Sequence, residues 1–195
     1  MKFFTADAHF YNWETLKIDN RPFKSPAAFD KFVIKTWNKQ AKRGDTIYVI
    51  GDFIDCDNEK CTLWKKAITY CKKIKADVVL ILGNNEKRVI KHFFNNSFDD
   101  FKAFCLSIGF KDVQENLMIE MFGQNFYLTH KPVDYKEGVI NLFGHMHRGG
   151  GLYKPFGFNI GCDLNHFRLY SERDIKFLLK MKSRYWDKDK NINLK

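Results

Sequence analysis

Three apolar runs, residues 2–6, 46–50 and 78–82, each stop on a polar residue able to ligate a metal: Asp7, Asp52 and Asn84. Short apolar runs bounded in this way read as fully buried strands. Between them lie helical patterns. Ser25 then Pro26 gives a capping hydroxyl and a proline for a first turn, and Phe29, Phe32, Val33 and Trp37 follow as an apolar stripe, with a stop expected near Gly44. Leu63, Trp64, Ala67, Ile68, Cys71 and Ile74 form the stripe of a second helix. Strands alternating with helices predict βαβ units and a parallel sheet, with functional groups gathered at the carboxyl ends of the strands.

Farther along, residues 87–94 and 98–108 read as helices, and then the period changes. Residues 117–122 and 125–129, with Gly123-Gln124 between them, predict a hairpin. A strand over 138–143 follows, then a loop holding Gly149-Gly150-Gly151, a strand over 156–160, and a helix opened by Ser171 with Asp174 in the capping-box position. Residues 12–24 read as a polar loop, and 185–195 as a charged, fraying tail. No repeat or linker divides the 195 residues, so a single domain is expected.

The strand ends carry more than the three residues already named. Asp7 and His9 are two apart, as are His145 and His147 in Gly144-His145-Met146-His147, so each pair points to one side of an extended backbone. His130 closes the second hairpin strand. The collected candidates are Asp7, His9, Asp52, Asn84, His130, His145 and His147, which include four of the chain's six histidines. Seven oxygen and nitrogen ligands exceed one tetrahedral zinc site. They suit two metals sharing a carboxylate about 3.5–4 Å apart, as in phosphatases and nucleases.

Composition narrows the partners. A formal charge of +10 favours an anionic substrate, a phosphate ester, a nucleotide or nucleic acid, although the lysines scatter over helix faces such as Lys65-Lys66 and Lys72-Lys73. No apolar run is long enough to span a membrane, and the N-terminus turns polar at once, so a cytoplasmic protein is expected, in host cytoplasm if phage-encoded. The cysteines, Cys56, Cys61, Cys71, Cys105 and Cys162, form no CxxC pair and are expected reduced and packed.

Asp7-Ala8-His9, Gly51-Asp52, Gly83-Asn84, His130 and Gly144-His145-Met146-His147, in that order, resemble the five-part signature of the calcineurin-like metallophosphoesterases. His9-Phe10, Arg21-Pro22-Phe23 and Asn159-Ile160-Gly161-Cys162-Asp163 are similar to a small uncapped branch common in phages and bacteria. The resemblance implies a four-layer α/β/β/α sandwich. It assigns Asp7, His9, Asp52 and His147 to a first divalent transition metal and Asp52, Asn84, His130 and His145 to a second, with manganese first and iron, zinc or nickel as alternatives. It implies attack on a phosphodiester or nucleotide-type substrate by a hydroxide bridging the metals, with Asp52, Asn84 and His130 in the catalytic set. A nucleotide or protein phosphomonoesterase, or a non-catalytic scaffold on the same fold, is the alternative. Two positions depart from the pattern. Asn85 stands where the family has the histidine expected to protonate the leaving oxygen, and Asn12 where this branch often has a further histidine. Arg21, Asn12 and Arg148 are the candidate substrate contacts, the arginines as phosphate clamps.

Overall fold

A computed structural model of the chain describes residues 1–56, 63–150, 152–153 and 157–183. Cys61, Gly151, Phe156 and the 185–195 tail lie outside the described residues. The strands are β1 (Lys2–Thr5), β2 (Thr46–Ile50), β3 (Asp77–Ile81), β4 (Asp112–Gln114), β5 (Leu117–Met121), β6 (Gln124–Leu128), β7 (Ile140–Phe143), β8 (Leu152–Tyr153), β9 (Gly157–Asn159) and β10 (Tyr170–Ser171). The helices are α1 (Trp13–Ile18), α2 (Pro26–Gln40), α3 (Trp64–Ile68), α4 (Asn84–Phe93), α5 (Phe98–Ser107) and α6 (Glu172–Met181).

One sheet has the order β10-β1-β2-β3-β4, parallel except for β10. The other has the order β5-β6-β7-β9-β8, parallel across β6-β7-β9 and antiparallel at both edges. In the first sheet Phe3 pairs with Ile47 and Ile47 with Val78. Side chains alternate in extended backbone, so this register sends Phe3, Ile47, Val49, Val78 and Leu80 into one core and Phe4, Ile50, Val79 and Ile81 into another. The first core meets Phe29, Val33 and Trp37 of α2, Trp64 of α3, Val89 of α4 and Phe101 of α5. The second lies between the sheets, against Phe126, Leu128, Leu142 and Phe158, with Ile175 of α6 docked on it. Two stacked sheets flanked by helices make the α/β/β/α sandwich expected from the sequence.

Several elements differ from the sequence reading, each for a local reason. The stretch 12–24 contains α1, because Asn12 Oδ1 accepts from the backbone N–H of Glu14 and Thr15 and Leu16 is buried. Helix α4 begins at Asn84 rather than 87, because Glu86 reaches back to the Gly83 N–H at 2.8 Å. The hairpin turn is Phe122-Gly123, both at positive φ, with Met121 paired to Gln124. The helix expected over 63–74 shortens to α3 and continues as a 3₁₀ turn over Thr69–Lys73, with Tyr70 and Cys71 buried. Helix α2 ends at Gln40, ahead of Gly44.

Candidate metal centre

All seven candidate ligands come to one edge of the sandwich, where strands of both sheets end. The first sheet brings Asp7 and His9 after β1, Asp52 after β2 and Asn84 after β3; the second brings His130 after β6 and His145 and His147 after β7. Asp7, His9, Asp52, His145 and His147 have φ between 45° and 71°. Left-handed backbone costs a non-glycine residue about 1–2 kcal/mol, so finding it at five ligands concentrates strain at this spot. Two glycines make the approach possible. A Cβ on Gly51, itself at φ +81°, would lie 2.2 Å from His130 Nδ1, and one on Gly83 would lie 2.2 Å from Asp52 Oδ1.

The donor atoms fall into two groups. Asp7, His9 and His147 have ligand atoms within 4.8 Å of one another, and so do Asp52, His130 and His145. Asn84 joins the second group, its Oδ1 lying 3.0 Å from His130 Nε2 and 2.9 Å from His145 Nδ1. Asp52 Oδ2 stands between the groups, 3.6 Å from His9 Nε2 and 3.5 Å from His130 Nε2. That is the place a shared carboxylate has to occupy.

The hydrogen bonds around the rings test whether cations fit. His130 Nδ1 is 2.9 Å from the Ile50 carbonyl, which only accepts, so Nδ1 carries the hydrogen. Its Nε2 then faces two more acceptors, Asn84 Oδ1 and Asp52 Oδ2. Likewise His147 Nδ1 meets Asp19 Oδ2 at 2.5 Å, which turns its Nε2 toward His9 Nε2 at 3.2 Å. Lone pairs converging in this way call for positive charge. Burial lowers the pKa of His130, but Asp52 and Asp7 outweigh it and raise it to about 9. A proton is thus drawn to the point where a divalent cation satisfies the same need. Burial raises Asp7 to about 6, and burial drives His9 down to about 3, leaving a neutral imidazole of the kind metals take. Burial also works against ionised Asp52, yet the His130 hydrogen bond and charge hold it well below the usual carboxylate range. The donor set fits divalent metal ions.

Other residues hold this arrangement in place. Asp7 accepts the His145 N–H on both oxygens, at 2.9 and 3.0 Å. Glu86 is fully buried and accepts four backbone N–H groups, from Gly83, Asp52, Phe53 and Ile54. Asn159 donates to the carbonyls of His147 and Gly149. The structure gives Arg21 a different task from the phosphate clamp expected of it. Its buried guanidinium donates to the carbonyls of Asp7 and Ala8 and to both oxygens of Asp163, so it braces the first ligand loop. Asn12 acts as the cap of α1, and Arg148, exposed, donates to the Asn20 carbonyl.

A cavity of about 220 Å³ opens over the ligands, walled by Glu14, Thr15 and Ile18 of α1 on one side and by Asp55, Asn85 and Arg88 on the other. Neither Arg21, Asn12 nor Arg148 lines it. Asn85 does, though its Oδ1 accepts from Cys56 N–H at 3.1 Å and lies 3.4 Å from Arg88 Nη1. His92 and His166 are exposed and lie away from it, while Phe10 is core, packed edge-on to Trp37, Phe53 and Tyr70. Sequence reasoning missed Asp19 and the buttressing role of Glu86. Glu86 had a signal, its place three residues after a glycine at a helix start. Asp19 had none, being one acid in a polar stretch until the fold sets it against His147.

Fold and site together define an α/β/β/α sandwich with a candidate centre for two metal ions at one edge. The chain belongs to the calcineurin-like phosphoesterase family, whose pattern matches residues 3–190. It is similar to an uncharacterized protein of Methanocaldococcus jannaschii, 33% identical over 82 residues, which are 42% of this chain and 44% of that protein. The chain thus matches less than half of that relative's length. Its fold is similar to the crystal structure of a protein of unknown function from Aquifex aeolicus, with a TM-score of 0.65 and 22% identity, over 91% of this chain and 98% of that one. Among the described residues no helix is long and apolar enough to cross a membrane.

Proposed function

We propose that the protein hydrolyses phosphodiesters of the nucleotide type at this edge, using two divalent cations. The observation that carries the reading is Asp52 between two groups of donors, within 3.6 Å of His9 and 3.5 Å of His130. Asp7, His9, Asp52 and His147 would hold one cation and Asp52, Asn84, His130 and His145 the other. Bound there, the metals would supply Lewis acidity to a phosphoryl group and lower the pKa of an attacking water. The chain's own part is positioning and charge. Asp19 and the Ile50 carbonyl fix two of the rings, Glu86 fixes the Asp52 loop, and Arg88 places a guanidinium on the cavity wall.

What the cavity offers a leaving group separates aryl from alkyl esters. Asn85 lines it, and an amide donates a hydrogen bond but no proton. The protein should therefore turn over bis-p-nitrophenyl phosphate, whose leaving group is stable unprotonated, and act poorly on phosphoserine. Asn85→His should raise phosphoserine turnover by about 10²-fold and change the aryl diester far less, since general acid catalysis is typically worth about 10²–10⁴. Equal effects on the two esters, or brisk hydrolysis of phosphoserine by the unaltered protein, would overturn the role given to Asn85.

A further inference from the structure

A second cavity, of about 260 Å³, lies on the other side of Asn84 and shares Asn84 and His130 with the metal centre. The rest of its polar wall is made by Lys87 on the first turn of α4, by Lys131 and Thr129 at the end of β6, and by Asn116 ahead of β5. Asp134, at the end of a 3₁₀ turn over Pro132–Asp134, also lines it. Two facts give it a chemical character. Neither lysine has a carboxylate within ion-pair distance among the described residues, Asp134 included. Thr129 is 1% exposed, and its hydroxyl is buried with no hydrogen-bond partner. Buried hydroxyls are paired in folded proteins, so an unpaired one on a residue that lines a cavity points to a ligand that accepts or donates there.

We propose that this cavity is a second phosphate subsite, taking the phosphate next to the scissile one, so that the substrate class is an oligonucleotide rather than an isolated diester. Two ammonium groups, an amide and a hydroxyl are donors suited to a dianionic or bridging phosphate, and one carboxylate leaves the wall net positive. Sharing Asn84 and His130 ties the subsite to the reacting centre, because any group filling it abuts the residues proposed to hold the second cation. The proposal rests on the phosphodiester reading above and adds a preference for a neighbouring phosphate.

The test compares kcat/KM on dTpdT, which has one phosphate, with pdTpdT and dTpdTp, which each have two. One of the two bisphosphates should be preferred over dTpdT by on the order of tenfold or more, the effect of a charge-assisted hydrogen bond. Lys87→Gln, Lys131→Gln and Thr129→Val should each bring that ratio toward one. Calorimetric titration of the full chain with inorganic phosphate gives a readout apart from turnover, and the lysine substitutions should weaken binding by a similar factor. Thr129→Val is near-isosteric and removes a buried polar atom, so it keeps the test meaningful if a lysine variant folds poorly. If all three dinucleotides are cleaved alike and the substitutions leave the ratios unchanged, the subsite is wrong and the diester reading stands. If no diester is cleaved, that reading fails, and unaltered phosphate binding in the lysine variants would overturn the subsite as well.

Discussion

At the scale of single residues, the site's behaviour turns on where protons sit before a cation arrives. His130 is raised to about 9 by Asp52 and Asp7 in spite of burial, and burial raises Asp7 to about 6. Both groups must be deprotonated to act as ligands. Between pH 6 and 9 a cation entering the second group must therefore displace the His130 proton, and below pH 6 one entering the first group must displace a proton from Asp7. The sign follows: affinity rises with pH, by roughly tenfold per unit from 7 to 9, and flattens above. Calorimetric binding of a divalent cation at pH 7.5, repeated in buffers of different protonation enthalpy, should show about one proton released per chain. Affinity that is flat from pH 6 to 9 would remove His130 from the ligand set. Such protonation states were not legible in the sequence, because they arise from burial and from neighbours far apart along the chain. The ligand residues themselves were, because each follows an apolar strand, but the extended backbone expected of the i, i+2 pairs was not found: Asp7, His9, His145 and His147 are left-handed, and His145 and His147 serve different groups.

At the scale of elements, strands and helices with long periodic patterns were readable, and the short ones were not. Helix α1 has only six residues, with two of them buried, and β4, β8 and β10 have three or two residues each, so no window of sequence carries their period. They form because neighbours pair with them, as Phe4 does with Tyr170. The junction of β3 and α4 shows what such local structure does for the site. Glu86 accepts Gly83 and Asp52 on Oε2 and Phe53 and Ile54 on Oε1, at 2.8 to 3.3 Å, and so ties the turn after β2 to the first turn of α4. Glu86→Gln keeps the shape but turns an NH₂ group toward two of those donors. Leaving a buried donor unpaired costs about 1–3 kcal/mol each, so roughly 2–6 kcal/mol of stability should be lost. At roughly 2–4 °C per kcal/mol for a chain of this size, the melting temperature should fall by about 5–20 °C. An unchanged melting curve would mean that the junction does not depend on this carboxylate.

At the scale of the whole molecule, the centre joins the two sheets. Asp7, His9, Asp52 and Asn84 come from the first and His130, His145 and His147 from the second, so cations held by all seven link the halves of the sandwich. The unfolded chain brings no such set together. A ligand bound only by the native state stabilises it by about 2.7 kcal/mol at a hundred times its dissociation constant, which is roughly 5–11 °C per site here. Addition of Mn²⁺ should therefore raise the melting temperature of chelator-treated protein, and removal should reverse the rise. Substitutions then separate a shared site from two independent ones. Asp52 stands between both groups, so Asp52→Asn should abolish most of the rise, while its Oδ1 can still accept the Asn85 N–H as the carboxylate does now, at 3.0 Å. His147 belongs to one group, so His147→Ala should remove about half. Elemental analysis of the same samples should give metal near zero for Asp52→Asn and near one equivalent for His147→Ala. An Asp52→Asn protein that keeps a full thermal shift and two equivalents of metal would show that the two groups do not share this carboxylate. A shift lost equally in both variants would mean that the cations bind only as a pair, and the half-value expected of His147→Ala would be wrong.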